Sequence, residues 1–200
     1  MPVRARNLIR KMRGGAQAHL LEGEDGAFYV VKFMNNPQHR RILINEWLAC
    51  AFLRYLQIHV PDTAVIELTR EFIERNPDLY LSIGSRREQV LPGLHFGSRL
   101  AVHPDRVAVF DFLPDKLLNK IENRVDFLGA LVFDKWVANA DSRQAVFFRA
   151  RAKVDALERR NARPNWVFRS DDRSWICIQR PALGVPGLSP SGAVLPNCRL

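Results

Sequence analysis

The stretch Ala27-Phe-Tyr-Val-Val-Lys-Phe33 is a short run of aromatic and β-branched residues with a single charge near its end. That composition is typical of a β-strand. Just before it, Glu22-Gly-Glu-Asp-Gly26 supplies an Asp-Gly pair, which readily reaches the positive φ that tight hairpins need. Ala18-His-Leu-Leu21 is a second strand-like run, so residues 12–34 read as a β-hairpin. Ile42 to Leu56 then has helical spacing, with Leu43, Trp47, Cys50, Ala51 and Phe52 or Leu53 on one face. His59-Val-Pro61 ends that segment, and Ala64-Val-Ile-Glu-Leu68 reads as another strand. The first third of the chain is therefore strand, strand, helix, strand.

Residues 69–112 are less periodic and are interrupted by two turn-rich stretches, Ile83-Gly-Ser85 and Pro92-Gly-Leu-His-Phe-Gly-Ser98. From Lys116 the pattern turns helical. Val125, Leu128, Leu131, Val132 and Trp136 recur at three- and four-residue steps and predict a buried helix ending near Asn139. Ala145-Val-Phe-Phe148, Trp166-Val-Phe168 and Trp175-Ile-Cys-Ile178 read as short strands around a polar, basic insert. After Ile178 the character changes. Residues 179–200 hold four Pro, three Gly and no acidic residue, with neither helical nor strand period, and predict an irregular or disordered tail.

The 200 residues suit one domain, and 47% hydrophobic content with 26% charge can bury a core. No apolar run approaches the roughly 20 residues that a membrane-spanning helix needs. The basic N-terminus leads into no long apolar region and does not read as a secretory signal. Cys50, Cys177 and Cys198 are too scattered for a zinc site or disulfide framework, so a reduced, cytoplasmic setting is expected. The net charge of +9 favours anionic partners. The excess gathers in the first 13 residues, in His39-Arg40-Arg41 and between Arg143 and Arg173. No zinc-finger, helix-turn-helix or RNA-recognition signature accompanies it.

Four features carry chemistry, in a telling order. Arg13-Gly-Gly-Ala-Gln-Ala18 is a glycine turn whose bare amides suit a phosphate. Lys32 ends an apolar strand and suits a phosphate clamp. Glu46 lies on the helix that follows, where an acid can hold a strand lysine by an ion pair, as in protein kinases. Asn139-Ala-Asp-Ser-Arg-Gln144 closes an apolar segment and offers Asp141 as a candidate base. Each alone is more ordinarily a turn, an edge lysine, a solvated acid and a helix end. Their order is that of the parts of phosphoryl transfer.

The sequence resembles the HipA-like kinase family. The pieces that carry the resemblance are Arg13-Gly-Gly-Ala-Gln-Ala-His-Leu20, Tyr29-Val-Val-Lys-Phe33, Leu43-Ile-Asn-Glu-Trp47, Gly93-Leu-His-Phe-Gly-Ser98 and Asp134-Lys-Trp-Val-Ala-Asn-Ala-Asp-Ser-Arg-Gln144. The resemblance implies an α+β, kinase-like fold over residues 1–178. An N-terminal antiparallel sheet with one helix (about 12–92) would precede a partial, mainly helical C-lobe with short strands (about 93–178). It implies ATP and Mg2+ as ligands and a protein hydroxyl as phosphate acceptor, and an antitoxin-like partner is known in the family. Gly14 and Gly15 would lie in the phosphate loop, Lys32 would contact ATP phosphates and Glu46 would pair with it. Asp141 would be catalytic, with Asn139, Arg143 and Gln144 supporting the loop.

The chain departs from the kinase pattern at the metal. Protein kinases place an Asn a few residues after the catalytic Asp to help hold magnesium; the corresponding residue is Val146. A second ligand, an Asp in a strand-Asp-x-Gly arrangement, is expected after Trp175-Ile-Cys-Ile178. Gln179-Arg-Pro181 stands there instead. A frameshifted or truncated end accounts for both this loss and the changed composition. Apolar surface on the 125–136 helix is then expected to lack its cover. Two other readings follow: a pseudokinase or interaction module, and, further off, a basic nucleic-acid-binding protein.

Overall fold

The structure is a computed structural model. It describes residues 1–12, 16–37, 41–110, 113–121 and 123–139, with strands at 145–150 and 174–179. In chain order the elements are β1 (Val3–Lys11), β2 (His19–Gly23), β3 (Phe28–Lys32), α1 (Ile42–Tyr55), β4 (Thr63–Leu68), α2 (Arg70–Arg75), β5 (Tyr80–Ile83), β6 (Arg86–Gln89), β7 (Gly93–Arg99) and β8 (Val109–Phe110). A 3-10 helix (Asp115–Lys120), α3 (Arg124–Trp136), β9 (Ala145–Ala150) and β10 (Ser174–Gln179) complete them.

The hairpin forms as the sequence indicates. β2 and β3 pair antiparallel with Leu20 opposite Val30, and Gly26 in the turn has φ +73°. The Asp25 side chain closes this turn, accepting from the Ala27 N–H and from the Tyr29 hydroxyl.

The expected antiparallel sheet with one helix is corrected in three ways. Five strands close into a barrel in the order β1-β2-β3-β7-β4. The closure is a parallel pair, with Val3 of β1 opposite Ile66 of β4. A second, short helix, α2, is capped by the Thr69 hydroxyl accepting from the Phe72 N–H. The N-terminal residues are thus a strand: Val3, Ala5 and Leu8 pack inward on the core while Arg4 and Arg6 point to solvent. The turn-rich stretch 92–98 is largely β7, a central strand paired with both β3 and β4. Gly97 is there because a side chain would not fit; an added Cβ would come within 2.5 Å of Ile66 Cγ1.

Strand alternation sorts β3 into two faces. Tyr29, Val31 and the following Phe33 enter the barrel core with Leu21, Ile66, Leu68, Phe72 and Leu81. Phe28 and Val30 point the other way, into a second cluster with Met12, Leu20 and Leu100. Lys32 continues that second row.

The helices occupy the expected spans with different faces. In α1 the buried residues are Ile42, Glu46, Ala49, Cys50 and Leu53, while Trp47, Ala51 and Phe52 are exposed. Glu46 lies on the buried side, as its expected pairing with a strand lysine requires. In α3 Ala130 and Phe133 are buried against Ala49 and Leu53. Val125, Leu128, Leu131, Val132 and Trp136 are exposed instead of forming the buried face. β9 and β10 pair antiparallel. The strand read at 166–168 and the tail beyond Gln179 lie outside the described residues.

Candidate nucleotide-binding site

Lys32 is the last residue of β3, on the face away from the barrel interior. α1 crosses that face, anchored where Trp47 meets Phe96 of β7 edge-to-face with ring centroids 5.5 Å apart. One position before Trp47, Glu46 points at Lys32. The Lys32 Nζ donates to Glu46 Oε1 at 2.5 Å, and the two side chains are 3% and 0% exposed. The strand register and the helix phase therefore bring together two residues far apart in sequence. The cation is fixed within the fold.

The chain leaving Lys32 is held by a histidine that the sequence reading quoted but gave no role. His95 of β7 is buried. Its Nδ1 accepts from the Met34 N–H at 3.1 Å, so its Nε2–H donates to the Leu91 carbonyl at 3.0 Å. Burial pushes its pKa down to about 4, only partly opposed by that bond to Leu91. The neutral ring thus fixes the path of residues 32–34. Asn36, also buried, donates its Nδ2–H to the Ala16 carbonyl at 2.8 Å. It ties the strand exit to the end of the glycine turn. Nothing in local periodicity marks Asn36, because its partner is twenty residues away.

Gly14 and Gly15 lie outside the described residues, but both flanks of their turn are described. The Met12 N–H donates to the Ala18 carbonyl at 2.8 Å and closes the turn. Further along the chain, just before the Asp141 segment, α3 stops in a helix C-cap. Ala138 takes a left-handed φ of +52°, and the Asn139 N–H reaches back to the Asp134 carbonyl at 2.8 Å. The Asn139 side chain donates to Asp134 Oδ1 at 3.0 Å. Asn139 thus braces the helix end two residues before Asp141. Asp141, Arg143 and Gln144 lie outside the described residues, so Lys32, Glu46 and Asn139 are the proposed site residues that the structure places.

The HipA-like kinase family model matches residues 6–147, from β1 to the start of β9. The chain belongs to the HipA-like kinase family. The match takes in the barrel except the first residues of β1, the Lys32–Glu46 pair, α3 and the Asn139–Gln144 segment. Comparison with curated proteins and with solved structures gave no significant match. Among the described residues no helix is long and apolar enough to cross a membrane.

Proposed function

We propose that this HipA-like kinase domain binds ATP, with Lys32 on its phosphates and Glu46 holding the lysine in place. The buried Lys32–Glu46 pair carries the reading. Taking two charges out of water costs several kcal/mol per ion, and an apolar pair in the same space is often at least as stable. Stability is therefore a weak reason for such a pair, whereas fixing a cation at a phosphate site is a strong one. In this reading Gly14 and Gly15 offer backbone amides to the phosphates. Asp141 accepts the proton of a protein hydroxyl as it attacks, and Arg143 pairs with Asp141 or with phosphate. A cytoplasmic setting and an antitoxin-like partner accord with this reading.

The two magnesium ligands of the protein-kinase pattern are not at their expected positions in the sequence. Val146 offers no side-chain oxygen, and Ile178 is followed in sequence by Gln179-Arg-Pro181, with no carboxylate. Among the described residues no group of three His, Cys, Asp or Glu could hold a metal ion. We therefore assign no step to a metal. This lack favours a second reading, a pseudokinase that binds nucleotide with little or no transfer. Lewis-acid stabilisation by the metal is worth several kcal/mol, and each ~1.4 kcal/mol is about tenfold in rate.

Calorimetry of the full chain with ATP, with and without magnesium, tests the proposal. Binding that is abolished in Lys32→Met/Glu46→Met, while that variant stays folded, supports it. Magnesium-independent binding of the same affinity selects the pseudokinase. A folded wild-type chain that binds no ATP under either condition refutes nucleotide binding.

A further inference from the structure

The three residues that follow Gly14-Gly15 are held with unusual completeness. Ala16, Gln17 and Ala18 each have a carbonyl that accepts a hydrogen bond. The donors are Asn36 Nδ2, the Nδ1–H of buried His19 and the Met12 N–H. In their midst Gln17 adopts φ +47°, a left-handed conformation that costs an L-residue other than Gly, Asn or Asp about 1–2 kcal/mol. Strain of this kind persists only where the surroundings over-determine it, and it gathers at functional sites.

The Gln17 side chain adds two bonds to that determination. Its Oε1 accepts from the Ser82 N–H at 2.6 Å and its Nε2–H donates to the Ser82 carbonyl at 2.7 Å. The amide thus pairs with the backbone of the β5–β6 hairpin as a further strand would. Lys11, on the other flank of the turn, joins the same point. Its Nζ donates to Gln17 Oε1 at 3.1 Å and to Ser82 Oγ at 3.3 Å, and lies over the Tyr80 ring at 4.7 Å. The hairpin is a separate two-stranded sheet outside the barrel. Its hold on the turn runs through these side chains.

We propose that Gln17 is a positioning residue of the nucleotide site. Its amide docks the segment adjoining Gly14-Gly15 onto the β5–β6 hairpin, while Asn36 docks the same segment onto the exit of the Lys32 strand. The role rests on the ATP-binding reading above. The two amides hold Ala16 and Gln17 to the hairpin and to the exit of the Lys32 strand before ligand arrives.

Two variants of the full chain test this. Gln17→Met keeps the length but loses both amide bonds to Ser82. Gln17→Gly also loses them but relieves the left-handed strain. Hydrogen exchange at the amides of Met12 and Ser82, whose N–H groups donate to the Ala18 carbonyl and to Gln17 Oε1, is read beside that of β3, β4 and β7, together with ATP affinity at a temperature where every variant is folded. The expected result is exchange at least about tenfold faster at Met12 and Ser82 only, with ATP binding weakened about tenfold in both variants. Weakened binding in Gln17→Gly is the discriminating result, because relief of strain spares stability but not placement. Unchanged affinity in either variant overturns the positioning role, as does equal acceleration in the barrel strands. A wild-type chain that binds no ATP refutes the nucleotide reading itself. The exchange pattern then reports whether Gln17 braces the turn for stability alone.

Discussion

Lys32 Nζ and Glu46 Oε1 meet at 2.5 Å in a space where neither side chain is more than 3% exposed. The pair makes a single lysine substitution ambiguous. Lys32→Ala leaves a carboxylate buried without its cation, which costs about 3–5 kcal/mol, of the same order as the whole stability of a small domain. Lost ATP binding in that variant would not separate site from fold. Replacing both residues by Met removes the charges together, and the double variant is expected to cost far less than the sum of the single ones. Urea denaturation of the four proteins measures the coupling. Additive effects would mean that the pair makes no direct contact in solution.

Gly97 lets β7 lie against β4 and β3. An added Cβ would stand 2.5 Å from Ile66 Cγ1, 2.9 Å from Ile66 Cδ1 and 3.4 Å from the Tyr29 ring. Ile66 is buried in the barrel core and has little room to yield. Gly97→Ala is expected to destabilise by about 1–3 kcal/mol through overpacking. Adding Ile66→Ala should make the double variant cost less than the two single effects combined, since the cavity of one takes the methyl of the other. A Gly97→Ala protein as stable as the wild type would show that the strands separate more easily than this packing allows.

Gly97 also marks where the sequence misleads. Glycines at 93 and 97 made 92–98 read as turns, whereas one serves close packing within a strand and the other a strand start with φ +135°. β1 was hidden in another way. Its Arg4, Arg6 and Arg10 read as part of a charge excess, although Arg4 and Arg6 flank half-buried Ala5 in the strand and Arg10 is itself half-buried. The hairpin, α1 and β4 were legible because their signals are local: an Asp-Gly turn, β-branched runs and helical spacing. Barrel closure was not, because a parallel pair between β1 and β4 has no local signature.

The site divides along the same line. Lys32 and Glu46 were found by their order along the chain, although an acid taken alone is normally solvated. Its burial follows from a partner on another element. Asn36, Gln17 and His95 act through bonds to distant backbone, so residue type alone gave them no role. The α3 apolar positions kept their period but lack a covering partner among the described residues, so period predicted the helix and not its burial.

Ala138 ends α3 in a left-handed conformation with φ +52°, one residue before Asn139. Glycine is at ease there, whereas alanine crowds its Cβ against the following carbonyl. Ala138→Gly is expected to stabilise by about 0.5–1 kcal/mol, raising Tm by roughly 1–4 °C. The carbonyl bond from Asn139 to Asp134 is unaffected by the change. A lower Tm would mean that residue 138 does not hold this conformation in solution.

His95 gives the fold an acid limit. Its Nδ1 already accepts from the Met34 N–H, so protonation there sets two donors face to face and breaks the bond that guides the chain out of Lys32. The folded pKa lies near 4 against an ordinary 6.5, with burial as the main cause. His19, also buried, is lowered to about 4, again chiefly by burial. Between these values the unfolded chain binds more protons than the folded one, so stability falls as pH falls through the window from 6.5 to 4. It is fully present above 6.5, and the loss levels off below 4. At ~1.4 kcal/mol per unit each histidine withdraws up to about 3 kcal/mol across the window. Urea midpoints should therefore hold above pH 6.5 and drop steadily towards pH 4, while the His95 ring resonances stay unshifted down to about pH 5. A His95 ring that titrates near 6.5 in the folded protein would show that it is neither buried nor bonded to Met34.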